Sequence, residues 1–244
     1  MQTKNKYRNI VAVSTLGGLD SVAWLSNGHI TVKASPQKRQ VNTLMDLIDA
    51  LTREVGYSWE KVDLIVADIG PQSLTGVRVG LSTCQGLSMP FTTPIWSCSH
   101  LEILAYQAFL QDTRMNEKAK KTTYLVAGDA RMQQIAFASY QYHKDQGRML
   151  SADPIKLVHV NDVSEFLSKE MHVGEVSFVG PGWDNYREKM PKVIRDLLER
   201  RSVVDNNTIL AEVMVKMAED CACHGVLHTV SATELKAIYL RPPV

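Results

Sequence analysis

The sequence has no excess of either charge. Its 244 residues carry 27 Lys+Arg against 26 Asp+Glu, a formal net charge of +1. A protein that holds nucleic acid unaided takes most of its affinity from neutralised phosphates and carries a basic surplus. This composition supplies none. Cysteine is scarce too: Cys84, Cys98, Cys221 and Cys223 are the only four. A chain of this length buries a core without covalent staples, so they read as the reduced thiols of a cytoplasmic protein. Long apolar runs are missing. The polar segment Met1–Asn9 leads into the apolar stretch Ile10–Val13, which is too short for a signal-peptide core or a membrane span. Aromatic residues make up 7%, and Tyr140, Tyr142, Trp183 and Tyr186 fall at strand and turn positions that suit packing rather than base stacking.

What is present is ordinary globular material, 45% hydrophobic and 22% charged, enough for one large domain or two small ones. The first half reads strand, strand, strand, helix, strand, helix. Ile10–Val13, Ser21–Leu25 and His29–Lys33 are the three strands, with Asn27-Gly28 as the hairpin turn. From Val41 to Val55 the apolar positions fall on one helical face. Leu64–Ala67 has the continuous apolar character of a central strand, and Leu74–Ser88 is a helix with Ser73 as its N-cap. The second half repeats the order. Tyr124–Ala127, Gln134–Tyr140 and Ile155–Val160 are strands, Asp162–Lys169 a helix, Val176–Val179 a strand and Asp184–Arg200 a helix. Gly70-Pro71 and Gly180-Pro181 occupy the same place in the two halves. The pattern predicts a duplicated βββαβα unit, with Ile95–Leu110 as additional material and Asn207–Cys223 as a closing helix that packs on the first half. The connections are short, with no low-complexity linker.

The most informative run is Gly70-Pro71-Gln72-Ser73-Leu74-Thr75-Gly76-Val77-Arg78-Val79-Gly80. A turn opening a helix presents free backbone N–H groups suited to an anion. On pattern alone it reads first as a tight strand-to-helix turn with a capped helix, and without a Lys after Gly76 it is not a Walker A loop. Two glycines one turn apart inside a helix cost about 1 kcal/mol each relative to alanine. The stripe Gly76, Gly80, Thr83 therefore predicts close approach of another helix, either Val41–Val55 or one from a partner. On that expectation, bulk at Gly80 breaks assembly and leaves the monomer folded. Cys221-Ala222-Cys223-His224 with His228 is a weak metal pattern. Gly225 stands where a zinc peptidase has its Glu, and it reads as a helix end that turns His228 away. Ser73 lies in no nucleophile elbow. Asp129 with Arg131 reads as an ion-paired turn before it reads as a catalytic pair.

The Gly70–Gly80 run resembles the signature GPGSFTGxRxG of the bacterial TsaB (YeaZ) family, relatives of TsaD within the superfamily of actin, sugar kinases and heat-shock ATPases. Four further segments match in order: Val11–Thr15 with Ser21–Ala23, Asp129-Ala130-Arg131, Val179–Trp183, and Ala237–Arg241, which ends in the family's YLR. The resemblance implies an α/β, actin-like ATPase (ribonuclease H-like) fold with halves at about 1–110 and 111–244. It also implies a non-catalytic subunit that binds and activates a TsaD-like transferase, which places a threonylcarbamoyl group on the adenosine beside the tRNA anticodon. The implied contact lies on the two N-terminal helices, through Leu44, Leu47, Ile48, Leu51, Thr75, Gly76, Arg78, Val79, Gly80 and Thr83. Ser14, Thr15, Gly70, Pro71, Ser73, Asp129 and Arg131 would be the remnant of an anion- or nucleotide-facing site. No cofactor is expected on this chain alone, with ATP and a metal on the TsaD-like partner. A TsaE-like ATPase and tRNA would join through the complex, and a homodimer is open to the chain when alone.

The departures bear on mechanism. Ser14 stands where actin-like ATPases carry an acid for hydrated magnesium, Gln72 replaces a glycine, Leu74 a phenylalanine, and Gln37-Lys38-Arg39 the family's Arg-Glu-His. The helix motif is kept better than the nucleotide features, which favours a scaffold. The competing readings are a metal- or ATP-dependent enzyme, peptidase-like or kinase-like, and a divergent homodimeric paralogue that has lost TsaD.

Overall fold

The computed structural model describes residues 6–16, 18–35, 43–115, 122–170, 175–200 and 209–241. The chain divides into two compact units, one made of residues 1–103, 145–147 and 209–238, the other of 104–144, 148–208 and 239–244.

The first unit is built on a five-stranded sheet. Strands β1 (Asn9–Ser14), β2 (Ser21–Ser26) and β3 (His29–Ala34) form an antiparallel meander, and β4 (Leu64–Asp68) and β5 (Ile95–Cys98) add in parallel, in the order β3-β2-β1-β4-β5. The β2–β3 turn uses left-handed backbone at Asn27 and Gly28, φ 50° and 79°, which those two residue types tolerate best. Alternation along the strands sends Val11, Val13, Val22, Trp24, Ile65 and Ala67 to one face. There they meet α1 (Thr43–Val55) through Leu44, Ile48 and Leu51, and α2 (Leu74–Ser88) through Val77, Leu81 and Cys84. Helix α7 (Leu210–Cys223) packs against β1 and β2. The segment after α7 stays with this unit: Val230 bridges Ile95, and the Ile238 N–H donates to the Ile69 carbonyl at 2.9 Å.

The second unit carries β6 (Thr123–Asp129), β7 (Gln134–His143), β8 (Arg148–Leu150), β9 (Lys156–His159) and β10 (Val176–Val179), ordered β10-β6-β7-β8 with β9 also on β7. Its core holds Trp183, whose indole N–H donates to the Leu125 carbonyl at 2.9 Å and whose ring meets Phe178 edge-on at 5.0 Å. Gly180 and Gly182 are required here, because a Cβ would stand 2.6 Å and 2.8 Å from the Ala127 carbonyl.

The α/β class and the succession of elements from β1 to α2 agree with the sequence reading; several boundaries differ. Ile95–Leu110 is not extra material between copies, since Ile95–Cys98 is the fifth strand and α3 (His100–Met115) follows. The expected helix Asp184–Arg200 is interrupted. Short α5 (Pro181–Asn185) ends, and α6 (Lys192–Arg200) starts after Pro191, which has no N–H to continue a preceding helix. β8 was not foreseen, and α4 spans Val163–Glu170. Val41 and Asn207, expected at helix starts, lie outside the described residues, as does Gln37-Lys38-Arg39.

The glycines of α2 divide by environment. Gly80 is buried, and a Cβ there would lie 2.8 Å from Thr15 Oγ1. Thr15 is fixed in turn, its hydroxyl donating to the Gly76 carbonyl at 2.7 Å. The close approach is therefore to Thr15 at the end of β1, not to another helix, and Gly80 is buried inside its own unit. Gly86 is exposed, with open space beyond it. Gly80→Leu is expected to destabilise the folded protein by about 1–3 kcal/mol through overpacking. Gly86→Ala is expected to stabilise it by about 0.5–1 kcal/mol. Urea unfolding of the two variants beside the parent chain checks both signs.

Candidate functional site: the α2 face and the two strand-end turns

Helix α2 begins at a turn held on all sides. Ser73 Oγ accepts the Gly76 N–H at 3.4 Å, the N-cap read from the sequence. Gly70 sits at φ 82°, and a Cβ there would meet Val77 Cγ2 at 3.0 Å. Asp68, the last residue of β4, takes the Gly70 N–H on Oδ1 at 3.0 Å, while its Oδ2 faces His100 Nδ1 at 2.8 Å. Both side chains are almost wholly buried. Behind them burial, and after it the Asp68 charge, pushes the Cys84 thiol up to about 12, so it is no nucleophile near neutral pH. Nothing local in the sequence marks Asp68 or His100. They meet because parallel pairing sets Asp68 beside Cys98, two residues before His100.

Of the residues assigned to partner contact, Leu44, Ile48 and Leu51 lie in the unit's own core, and Gly76 and Gly80 are buried. An amphipathic face looks the same in sequence whether it covers its own sheet or another chain. Leu47 and Thr83 are half-buried; Thr75, Arg78 and Val79 are exposed. Helical spacing continues those three through Ser82, Gly86 and Met89, all exposed. The result is an uncharged outward stripe with Arg78 at its margin, and Val79 and Met89 are 47% and 66% exposed.

The residues assigned to a nucleotide remnant fall in two places. Ser14, Thr15, Gly70, Pro71 and Ser73 gather where β1 and β4 end and α2 begins, in the first unit. Ser14 is fully buried with its Oγ accepting the Leu16 N–H at 3.4 Å, and the Thr15 hydroxyl is spent on Gly76. These residues do not fit a hydrated metal, because neutral hydroxyls stand where an acid would be needed. Asp129 and Arg131 lie at the end of β6 in the second unit. Asp129 Oδ1 accepts the Arg131 N–H at 2.8 Å and the Tyr186 hydroxyl at 2.7 Å; Oδ2 takes the Asn185 amide at 3.3 Å. Arg131, Met132 and Gln133 all have left-handed backbone, φ 63°, 54° and 58°. Arg241 braces that turn, donating to Gln134 Oε1 and to the Arg131 carbonyl. The DAR and YLR segments thus meet as one structural brace.

The weak metal pattern is dispersed. The Cys221 thiol donates to the Gly147 carbonyl at 3.6 Å, and His224 Nδ1 pairs with the Asp220 carbonyl at 2.8 Å. Cys223 is exposed, and burial together with the Glu219 and Asp220 charges raises its pKa. Among the described residues no group of three His, Cys, Asp or Glu side chains stands close enough to hold a metal. Among the same residues no helix is long and apolar enough to cross a membrane.

Partial burial pushes the Asp129 carboxyl up, but the Arg131 N–H, the Tyr186 hydroxyl, the Arg131 guanidinium and the Asn185 amide outweigh it and hold it below its ordinary value. A depressed folded-state pKa gives stability that is full above the unfolded value and fades as pH falls through the folded one. The stability gap between the parent chain and Asp129→Asn is therefore expected to be level above about pH 5 and to narrow below about pH 4, read by urea unfolding across that range.

Comparison with known proteins places this geometry. The sequence profile of the family described as "TsaD: tRNA N6-adenosine threonylcarbamoyltransferase" matches residues 34–238. The chain is 25% identical over 239 residues to the tRNA threonylcarbamoyladenosine biosynthesis protein TsaB of Haemophilus influenzae, covering 96% of this chain and 94% of that protein. It is 26% identical over 242 residues to the TsaB of Escherichia coli, covering 95% and 94%. A solved structure described as an uncharacterized protein with similarity to peptidase YEAZ, from Pseudomonas aeruginosa, matches with a TM-score of 0.77 at 26% identity, over 96% of this chain and 99% of that one. With that profile matched over most of the chain and the two TsaB proteins aligned over nearly its whole length, the chain belongs to the TsaD family, on its TsaB (YeaZ) side.

Proposed function

We propose that this chain is a non-catalytic subunit that binds and activates a TsaD-like transferase in threonylcarbamoyl modification of the adenosine next to the tRNA anticodon. The observation that carries the reading is the outward stripe of α2, Thr75, Val79, Ser82, Gly86 and Met89, uncharged along its length. Glycine in the middle of an exposed helical face costs stability, and nothing within 4 Å of Gly86 explains it. Close approach of a partner backbone does. ATP and a metal belong on the partner, since Ser14 and Thr15 offer only committed hydroxyls. The near-neutral charge fits a subunit that meets tRNA only through the complex, which a TsaE-like ATPase would join in the cytoplasm.

The test is co-purification with the TsaD-like protein of the same organism, followed by a tRNA threonylcarbamoylation assay with each protein alone and both together. Modification that needs both, with no ATP turnover by this chain alone, is the expected result. A chain that only pairs with itself, or that turns over ATP alone, overturns the reading. Val79→Glu would bury an uncompensated carboxylate at the contact and is expected to weaken association about tenfold or more, leaving the monomer folded. Asp129→Asn is expected to leave modification nearly intact at neutral pH.

A further inference from the structure

We infer that Asp68 and His100 are positioning residues whose buried pair fixes the Gly70–Ser73 turn, and through it the direction in which the first turn of α2 presents Thr75, Arg78 and Val79. The inference rests on the proposed partner role of that face.

The turn between β4 and α2 has four backbone groups at Ile69 and Gly70, and each is held. The Ile69 N–H donates to the Cys98 carbonyl at 3.0 Å, and the Ile69 carbonyl takes the Ile238 N–H. The Gly70 N–H goes to Asp68 Oδ1 at 3.0 Å, and the Gly70 carbonyl takes the His100 N–H at 2.7 Å. Asp68 and His100 thus grip both polar groups of one glycine, and their side chains lock to each other at 2.8 Å. Apolar packing of Val77 and Leu81 holds α2 onto the sheet but is non-directional. The carboxylate is directional: its two oxygens set the Gly70 amide and the imidazole at once. A buried pair of this kind is a poor source of stability, because desolvation offsets its attraction, whereas fixing a geometry is a use that survives that balance. His100 Nε2 adds to the case. It is buried and has no hydrogen-bond partner among the described residues, which counts against stability as the reason for the ring. The ring is held for its Nδ1.

The experiment compares His100→Asn, His100→Gln and His100→Leu in the full chain. An Asn amide nitrogen is as many bonds from Cα as His Nδ1 and can still donate to Asp68; a Gln amide reaches one bond further, and Leu donates nothing. Hydrogen exchange at the amides of residues 70–79 and affinity for the TsaD-like protein of the same organism are measured on each. His100→Asn is expected to stay within about threefold of the parent in affinity, with His100→Gln and His100→Leu weakened about tenfold or more and their 70–79 amides exchanging faster. Parent-like exchange and binding in His100→Gln and His100→Leu overturn the inference. So does a loss in all three that merely follows global stability. If His100→Leu fails to fold, the Asn and Gln pair decides. If the parent chain does not bind the partner at all, the proposed function fails, and the exchange comparison still decides whether the pair fixes the turn.

Discussion

A carboxylate shut away from water at the end of a central strand has to find donors or be neutralised. Asp68 finds two, one on the main chain of the residue that starts the turn and one on the histidine that opens α3. The direction of the chain as it leaves the sheet follows from this. Gly70 is held in a conformation open to glycine, Ser73 lies where it can cap α2, and the helix runs back along β1 closely enough that position 80 has no room for a side chain. What α2 shows to the outside is settled by contacts that lie entirely inside.

The segments that carry the family resemblance mostly describe architecture. Gly76 and Gly80 seat a helix against Thr15. Gly180 and Gly182 let a turn pass over the Ala127 carbonyl. Asp129 and Arg241 brace a turn of three left-handed residues from either side. The part left over for recognition is small and made of residues that no motif singles out, among them Ser82, Gly86 and Met89. If the chain acts as the proposed subunit, its internal geometry is expected to be under tighter constraint than its apolar surface, where shape matters more than residue identity.

The parts that could be read from sequence alone were those whose cause is local. The bounds of α2 follow from a serine cap and a glycine-proline turn, and the β2–β3 turn follows from two adjacent residues that accept positive φ. Ambiguity began where the cause is distant. The apolar stripe Leu44, Ile48, Leu51 has the right period for a contact surface, but only the tertiary structure shows that the surface it meets is its own sheet. The spacing of Gly76 and Gly80 announces a close approach without naming what approaches, and a strand end proved to be the neighbour. Asp68 and His100 are 32 positions apart and are joined only through the parallel register of β4 with β5. Pro191 did carry a local signal, and reading one helix through it passed over the missing N–H.

The order of the strands has a consequence for how the chain comes off the ribosome. All five strands of the first sheet have been made by Cys98, together with α1 and α2 over one of its faces. Helix α7, which packs on β1 and β2, begins only at Leu210. At ordinary elongation rates the intervening stretch takes on the order of ten seconds to synthesise. For that interval apolar positions such as Ile10 and Ala12, which alternate with those facing α1 and α2 and are fully buried in the finished protein, wait without this cover. That face of the nascent first unit stays open until roughly the last seventh of the chain arrives to close it.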